Sequence, residues 1–425
     1  MNGMKDSRLA DAGQLRIAVL GSTYPRAADD HEVPWLRESV KRLTARGHKI
    51  TVIAPAYHGL KDHEIDGVQV RRFRYAPAGW EMLTHAEGAL NKLKKYPILK
   101  LLTLTYILGG VVAVWKICRQ ERIDILHVHW PFPHGLMALL PAWLSDVKVV
   151  SSCHSAEFAL AAKNKLSTSL LALSLRKSDI ITANSSYTAN LVSGVAQRKA
   201  EIIPWGVTVK VEPSASPAAQ TIPLLLFSGR LIERKGVNFL LRAMPAILAR
   251  RPVRLVITGD GDYRREWEDL AAELGLNGTV TFTGFVTNEE LSALFRSCSV
   301  YVHPAIYDSR GDTEGLGVVL VEALSNRKPV VASRVGGIVD VIRDGETGLL
   351  VPQKDPEAIA KTVLRLLENP DYAHRLGEQG CAYATDYFNW DRIIDQYEAI
   401  YRKCVLSDRE GLLKKRTLNR LPLKG

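Results

Sequence analysis

Two carboxylates flank a glycine-rich stretch in a pattern that suits one extended, charged ligand. In the segment 311–323, Glu314 and Glu322 are separated by seven residues, and Gly315 and Gly317 follow the first of them. A glycine-rich turn that leads into a helix leaves backbone N–H groups unpaired, and the helix dipole favours an anion there. Phosphate is the candidate anion.

The spacing of the two carboxylates argues against a shared proton-transfer role. At a rise of about 1.5 Å per residue, Glu314 and Glu322 are expected to lie about 12 Å apart. The paired carboxylates of glycoside hydrolysis lie closer together, at about 5–9.5 Å. The longer span suits a nucleotide sugar, with one carboxylate near each end.

The E-x7-E pattern resembles the donor-site motif of the retaining GT-B glycosyltransferases of family four, which transfer sugars from nucleotide diphosphate sugars. The resemblance implies that Glu314 contacts the donor sugar hydroxyls and that Glu322 contacts the ribose hydroxyls. It assigns the phosphates to the backbone of Gly315, Leu316 and Gly317. It also implies an α/β fold of GT-B architecture, with two Rossmann-like domains facing a cleft and a C-terminal helix crossing back to the first domain.

A second motif supplies positive charge. Leu224 to Ser228 is an apolar run typical of a buried strand, and a loop with Gly229, Arg230, Lys235 and Gly236 follows it. Two cations five residues apart can neutralise a diphosphate, Arg230 through its forked guanidinium and Lys235 as a point charge. The loop resembles the G-R-x-x-x-x-K-G element of the same family, which makes these cations the expected diphosphate ligands and leaving-group stabilisers.

The elements that position the acceptor are expected in the first half of the chain. Apolar runs at 16–20 and 50–54, joined by a helical pattern, predict a βαβ unit, and such units place ligands at the carboxyl ends of parallel strands. The unit resembles the opening of the family, except that Asp30 and His31 stand where paired glycines are usual. We therefore expect the fit of the acceptor or sugar at this loop to depart from the family pattern.

Three histidines follow predicted strands. Alternation places His127 and His129 on one side of their strand, and no third ligand lies close enough in sequence to predict a metal site. The strand end resembles the H-x-H-W element at the family's acceptor cleft. His154, with Ser155 and Glu157, resembles the T-x-H-G-x-D element, which implies that His154 touches the donor sugar near the reacting carbon.

Two further stretches of the second half bear on the donor site. Asp260-Gly-Asp262 has the spelling of a metal-binding D-x-D, but it occupies the place of the family's G-x-G-x-x-R turn, and we expect no metal there. The loop 305–313 is longer than the family's, and its Asp308, Arg310 and Asp312 are candidates to line the sugar pocket.

Length predicts two domains, and the resemblance implies that a C-terminal helix crosses back to the first of them. The predicted parts are an acceptor-binding domain (1–209), a linker (210–223), a nucleotide-sugar-binding domain (224–388), a crossover helix (389–405) and a basic tail (406–425).

All of the net positive charge lies in the first half. Residues 1–210 hold 28 Lys and Arg against 17 Asp and Glu, whereas the two classes balance at 28 each in the remainder. Lysines and arginines cluster near the uncharged stretch 101–115, a combination that suits an anionic membrane surface. The stretch is shorter than the roughly 20 residues of a transmembrane helix, which predicts a buried helix.

The resemblance thus implies a metal-independent transferase without a cofactor. Its expected partners are a nucleotide-sugar donor, a carbohydrate or lipid-linked acceptor and an anionic membrane surface, and no motif indicates nucleic acid. A polar N-terminus and scattered cysteines indicate the cytoplasm, with a peripheral contact at the inner membrane face. The absence of G-x-G-x-x-G after the first strand argues against an oxidoreductase. A GT-B epimerase or phosphorylase remains the alternative.

Overall fold

A computed structural model describes residues 13–30, 32–85, 101–145, 147–207 and 222–418, without the side chains of 407–418. His31, the lysines at 92, 94, 95 and 100, nearly all of the predicted linker 210–223 and the last residues of the tail lie outside the described residues. The chain divides into two units. The first comprises 1–184, 188–203 and 393–425, and the second comprises 185–187 and 204–392.

The first unit is built on a sheet of eight strands, counted over the described residues. The sheet order is β3-β4-β2-β1-β5-β6-β7-β8, and β3 alone runs antiparallel to its neighbour. The strands are β1 (Arg16–Leu20), β2 (Lys49–Pro55), β3 (His63–Ile65), β4 (Val68–Phe73), β5 (Ile125–His129), β6 (Lys148–Cys153), β7 (Ile180–Ala183) and β8 (Glu201–Ile202). The chain reverses its direction across the sheet between β1 and β5, and parallel sheets hold ligands at such a point.

Helices cover both faces of this sheet. They are α1 (Pro34–Ala45), α2 (Leu102–Gln120), α3 (Pro131–Leu144), α4 (Ala156–Ala161), α5 (Lys165–Lys177) and α6 (Ser186–Ala196). Leu126 and Val128 of β5 pack with α2 and α3 in one apolar core, and Cys153 of β6 packs with α5 in another. The strand register puts these side chains on the same face of the sheet, so α2, α3 and α5 form one layer.

Our prediction that the apolar stretch 101–115 forms a buried helix is wrong for one of its sides. The inner side of α2 buries Tyr106 and Val114, but Leu104 remains 65% and Leu108 54% exposed. Among the described helices, α2 is long and apolar enough to cross a membrane.

The second unit has a sheet of six parallel strands in the order β11-β10-β9-β12-β13-β14. The strands are β9 (Leu224–Ser228), β10 (Arg254–Thr258), β11 (Val280–Gly284), β12 (Val300–His303), β13 (Val330–Ser333) and β14 (Leu349–Val351). Leu225 and Phe227 pack into the core on one face of β9, and Leu224 and Leu226 pack into the core on the other face. Burial on both faces explains why the β9 sequence is a continuous apolar run. The chain reverses between β9 and β12.

Over the described residues, seven helices surround the second sheet, and one more helix follows them. The seven are α7 (Val237–Leu248), α8 (Arg264–Glu273), α9 (Asn288–Ser297), α10 (Val318–Ser325), α11 (Ile338–Val341), α12 (Pro356–Glu368) and α13 (Pro370–Tyr387). The last helix, α14 (Trp390–Leu418), continues beyond the predicted end at residue 405. Its Trp390 Nε1 donates to the Val207 carbonyl at 2.8 Å in the second unit.

From residue 393 onward, α14 belongs to the first unit. There the Tyr401 hydroxyl lies 2.7 Å from His127 Nδ1, and His48 Nε2 lies 2.9 Å from Glu398 Oε1. Two α/β units with largely parallel sheets, tied by a helix that returns to the first, confirm the predicted fold class.

Candidate functional site

The loops that follow β9 and β12 bring a buried carboxylate against two cations. The Lys235 Nζ lies 2.8 Å and the Arg234 Nη1 3.6 Å from Glu314 Oε1. Burial alone would raise the pKa of Glu314, but Lys235 and Arg234 hold it well below its ordinary value. Burial outweighs these contacts for Lys235, whose pKa is lowered. The structure therefore places two predicted residues in direct contact, from strands that are neighbours in the sheet.

Glycines make this approach possible. A Cβ on Gly236 would lie 2.1 Å from the Pro304 carbonyl oxygen, so the loop after β9 passes directly over the end of β12. A Cβ on Gly336 would lie 2.2 Å from the backbone carbonyl oxygen of Glu314, and the Gly337 N–H donates to that carbonyl oxygen at 2.8 Å. Both Gly236 and Gly336 have positive φ, which glycine adopts without strain.

Arg234 is a member of this cluster that sequence reasoning missed. Its Nη1 donates to the Thr313 carbonyl at 2.5 Å, and its Nε lies 3.9 Å from Asp312 Oδ2. The signal was present, because Arg234 directly precedes Lys235 in a loop already assigned to anion binding. The family pattern leaves this position variable, so only the three-dimensional structure shows the contact.

The first turn of α10 offers the unpaired donors that the sequence predicts. Over the residues that the structure describes, the N–H groups of Gly315, Leu316 and Gly317 donate no hydrogen bond. The Leu316 side chain is buried in the core, so only its backbone is available to a ligand. Gly317 is the N-cap residue that directly precedes α10, and its φ of 86° lies in the left-handed region.

Glu322 lies inside α10, and its carboxylate has neither a hydrogen-bond nor an ion-pair partner within the described part of the chain. Burial raises its pKa to about 7. A buried carboxylate without a partner is costly, and such groups concentrate at ligand sites. Glu314 and Glu322 thus differ in kind, since the first is ionised by its cations and the second titrates near neutrality.

Arg230 has the opposite character from Lys235. Its side chain is exposed and forms no ion pair among the described residues. Its guanidinium is nevertheless partly shielded from water by the surrounding protein, and this desolvation, together with the repulsion of Arg234, lowers its pKa from the ordinary arginine value. Gly229 stands beside it, and a Cβ there would lie 3.4 Å from Lys235 Cε. The loop therefore presents one uncommitted cation and one that is paired with Glu314.

Two other loops of the second unit are held by their own contacts. Asp260 Oδ2 pairs with Arg264 Nη1 at 3.1 Å, and Asp260 Oδ1 accepts from Gly261 N–H at 2.7 Å. Asp308 Oδ1 accepts from the N–H groups of Arg310 and Asp312 at 2.8 and 2.9 Å. The lengthened loop after β12 is thus folded around Asp308.

In the first unit, the ends of β5 and β6 bring two predicted histidines together. The rings of His129 and His154 stack with centroids 5.2 Å apart, and His129 Nδ1 lies 3.0 Å from His154 Nε2. Trp35 and Trp130 lie 4.9 and 5.0 Å from the His154 ring. Burial lowers the pKa of His154 to about 3 and that of His129 well below its ordinary value, so both are neutral at pH 7.

The turn after His154 is strained. Ser155 has φ 78° and ψ −42°, a conformation that side chains with a Cβ rarely adopt. Glu157 Oε1 accepts the His154 N–H at 2.8 Å, and burial raises the pKa of Glu157 to about 7. The position where the family pattern has glycine is therefore one that requires a positive φ.

Asp30 is bound to its own loop. Its Oδ2 accepts from Arg26 Nε at 2.6 Å and Arg26 N–H at 2.9 Å, and its Oδ1 accepts from Glu32 N–H at 3.1 Å. Although burial alone would raise its pKa, these bonds lower it to about 2. Asp30 therefore fixes the shape of the loop that follows β1.

Comparison with known protein families gives two matches. A family model described as Glycosyltransferase Family 4 matches residues 35–211, and one described as Glycosyl transferases group 1 matches residues 210–382. Together the two models account for most of the chain.

Curated relatives span nearly the whole chain. An uncharacterized glycosyltransferase of Methanocaldococcus jannaschii is 29% identical over 91% of this chain and 98% of its own length. The GDP-mannose-dependent alpha-(1-6)-phosphatidylinositol monomannoside mannosyltransferase of Mycolicibacterium smegmatis is 28% identical over 81% of this chain and 88% of its own. Both relatives are named as transferases. These names do not favour the alternative function, a GT-B epimerase or phosphorylase.

Solved structures show the same fold. The sucrose-phosphate synthase of Thermosynechococcus elongatus superimposes with a TM-score of 0.74 at 23% identity, covering 92% of this chain and all of that one. The likeness establishes the GT-B architecture with its two Rossmann-like domains.

Proposed function

Since the chain belongs to the group 1, family 4 glycosyltransferases, we propose that it moves a hexose or similar sugar from a nucleotide diphosphate sugar to an acceptor, with retention of configuration and without a metal. The observation that carries this proposal is the contact of Glu314 with Lys235 and Arg234 beside the unpaired N–H groups that begin α10. A cation cluster and a helix start are what a diphosphate requires.

The diphosphate is the part of the donor for which the geometry gives most support. Arg230 has no ion-pair partner among the described residues and can form a bidentate contact with phosphate oxygens. Lys235 is paired with Glu314 at 2.8 Å, and an entering diphosphate competes for the same ammonium group. The negative charge that develops on the leaving diphosphate is then held by fixed cations and N–H donors, which stabilise the transition state.

The two glutamates bind opposite ends of the donor in this proposal. Glu314 stays ionised over the physiological range and accepts hydrogen bonds from the sugar hydroxyls. Glu322, half-buried and without a partner among the described residues, accepts from the ribose hydroxyls. Hydrogen bonds to an ionised acceptor are stronger than neutral ones, by about a factor of two. Each carboxylate therefore fixes the position of the donor as well as its affinity.

Retention is proposed to follow from attack on the face that the diphosphate leaves. The bond between the anomeric carbon and the phosphate oxygen breaks, the acceptor oxygen bonds to that carbon, and the acceptor proton passes to the leaving phosphate oxygen. His154, neutral and next to His129, is proposed to contact the sugar near the reacting carbon. Neither Asp30 nor Glu157 suits a nucleophile, because each is already held by backbone N–H groups.

The acceptor is proposed to be a carbohydrate or a lipid-linked group in polysaccharide or glycolipid assembly, with the enzyme in the cytoplasm and peripheral at the inner membrane face. His129, Asp30 and His31 are the proposed acceptor-side residues. The basic first half of the chain supports this assignment, and one relative is named for a phosphatidylinositol mannoside acceptor.

The test is transfer by EDTA-treated enzyme from UDP-, GDP- and ADP-sugars to a panel of lipid-linked and free saccharides. Proton NMR of the product should show an anomeric configuration equal to that of the donor. Intact-protein mass spectrometry of enzyme with donor should show no covalent sugar. An inverted product, a glycosyl–enzyme adduct or loss of all transfer in EDTA would each contradict the corresponding part of the proposal.

A further inference from the structure

The exposed apolar side chains of this protein concentrate on one layer of the first unit. Nine of the fifteen large apolar side chains that are exposed in the described part of the chain lie on α2, α3 and α5 or at their ends. Trp143 is 81% exposed, more than any other of the fifteen. The nine residues, here called the apolar face, are Leu101, Leu104, Leu108, Val112, Leu140, Trp143, Leu144, Leu166 and Leu173.

The three helices that carry the apolar face pack side by side. A Cβ on Gly110 of α2 would lie 2.2 Å from the Met137 sulfur of α3, and a Cβ on Gly135 of α3 would lie 2.6 Å from Ser174 Cβ of α5. Each helix turns its other side toward the sheet. Their outward sides therefore form one surface, and large exposed apolar surfaces mark interaction sites.

Positive charge accompanies this apolar face. Over their described lengths, α2, α3 and α5 contain no Asp or Glu, and they carry five exposed basic residues: Lys116, Arg119, Lys165, Arg176 and Lys177. The sequence just before α2 adds four lysines and one glutamate between residues 86 and 100. A protein partner with an apolar patch would not require this one-sided charge, whereas an anionic lipid surface does.

The helix α2 cannot leave the unit to span a bilayer without loss of the core. Its Tyr106 is buried, and the Tyr106 hydroxyl lies 2.8 Å from His134 Nε2 of α3. Val114 and Ile117 are buried on the same side. The helix is therefore placed to lie along a membrane surface, with Leu104, Leu108 and Val112 on its outer side at intervals of four residues.

We propose that the apolar face is a membrane-docking surface that seats the first unit on a bilayer rich in anionic lipid, with Trp143 inserted among the acyl chains near the headgroups. The inference identifies the surface and the lipid charge, and it stands on the first unit alone. It does not depend on the proposed donor chemistry. A negative liposome-binding result would contradict this inference alone, and a negative nucleotide-binding result would contradict the proposed donor site alone.

The test is flotation of the full-length protein with vesicles of phosphatidylcholine alone and with 30% phosphatidylglycerol, at about 50 and 500 mM salt. We expect binding to the anionic vesicles that falls at high salt. Lipids brominated on their acyl chains should quench the wild-type tryptophan fluorescence more than that of Trp143→Phe.

Matched variants distinguish binding through the apolar face from nonspecific hydrophobic binding. Trp143→Ser with Leu108→Ser should lower vesicle partitioning at least tenfold, and Lys116→Gln with Arg119→Gln should lower it several-fold. Phe285→Ser, which removes a side chain 78% exposed in the second unit, should change it less than twofold. Unchanged melting temperature and nucleotide affinity would show that the variants are folded.

Three results would overturn the proposal: no binding to anionic vesicles at low salt, equal loss in Phe285→Ser, or light scattering showing a dimer that Trp143→Ser dissociates. The last would assign the apolar face to a second copy of the chain.

Discussion

The two units place chemically opposite groups at the carboxyl ends of neighbouring parallel strands. In the second unit the loops after β9 and β12 carry Lys235, Arg234 and Glu314, which are charged and in contact. In the first unit the ends of β5 and β6 carry His129 and His154, which are neutral because burial lowers the pKa of each.

The difference shows how one fold serves two ligands. A diphosphate needs fixed charges and unpaired N–H donors, and the second unit has both next to α10. The first unit instead has a neutral histidine next to aromatic rings, His154 beside Trp35 and Trp130, which suits an uncharged sugar. Substitutions that act on one unit and not on the other test this division.

The largest effect is expected from Lys235→Met. Removing one partner of a buried ion pair costs about 3–5 kcal/mol when the remaining charge is uncompensated, and we expect a smaller cost here because Arg234 Nη1 still lies 3.6 Å from Glu314 Oε1. The loss of a charge-stabilising donor should lower turnover by about 100- to 1,000-fold. The control is Lys235→Met with Glu314→Gln, which should regain most of the thermal stability and none of the turnover. If the single variant transfers sugar at the wild-type rate, the charged half of the comparison fails.

His154→Asn is expected to act on turnover alone. A positioned group next to the reacting carbon contributes about 100-fold, whereas the nucleotide is held by the other unit. Release of nucleotide diphosphate from the cognate donor should slow by about that factor, and calorimetry should show a nucleotide affinity within twofold of wild type. A parallel loss of nucleotide affinity would remove the distinction between the two units.

The pH dependence of nucleotide binding should reveal Glu322. Its pKa of about 7 means that the carboxylate ionises between pH 6 and 8, and the ionised form is the stronger acceptor for ribose hydroxyls. Affinity should therefore rise with pH by about fivefold, on the order of 1 kcal/mol. The control is the pH dependence of nucleotide affinity in Glu322→Gln, because the phosphate groups of the nucleotide ionise in the same way with either protein. A constant ratio of the two dissociation constants across this range would contradict the ribose assignment.

The smallest effect is expected from Ser155→Gly. Glycine adopts φ 78° without strain, which should stabilise the protein by about 1 kcal/mol after the entropy of the unfolded chain is counted. The thermal midpoint should rise by about 2–4 °C. Ser155→Ala keeps the strained backbone and should give no increase. A lower midpoint for Ser155→Gly would show that the serine hydroxyl contributes more than the strain costs.

The sequence was sufficient for the fold, but it did not predict the contact between Lys235 and Glu314. Apolar runs and glycine-punctuated loops predict parallel strands, and parallel strands bring the loops of Lys235 and Glu314 to one edge. The sequence did not reveal that Arg234 joins them or that Asp30 is held by Arg26. It also predicted a buried helix over 101–115, because composition records how apolar a helix is and not which of its sides a neighbour covers.

Calorimetric titration of UDP, GDP and ADP, in EDTA, into wild type and Lys235→Met tests the central claim most directly. We expect that at least one nucleotide binds the chelator-treated wild type and that Lys235→Met binds it at least tenfold more weakly, about 1.4 kcal/mol. Binding that requires a divalent cation, or equal affinity in the two proteins, would contradict a metal-free diphosphate site built on Lys235 and Glu314.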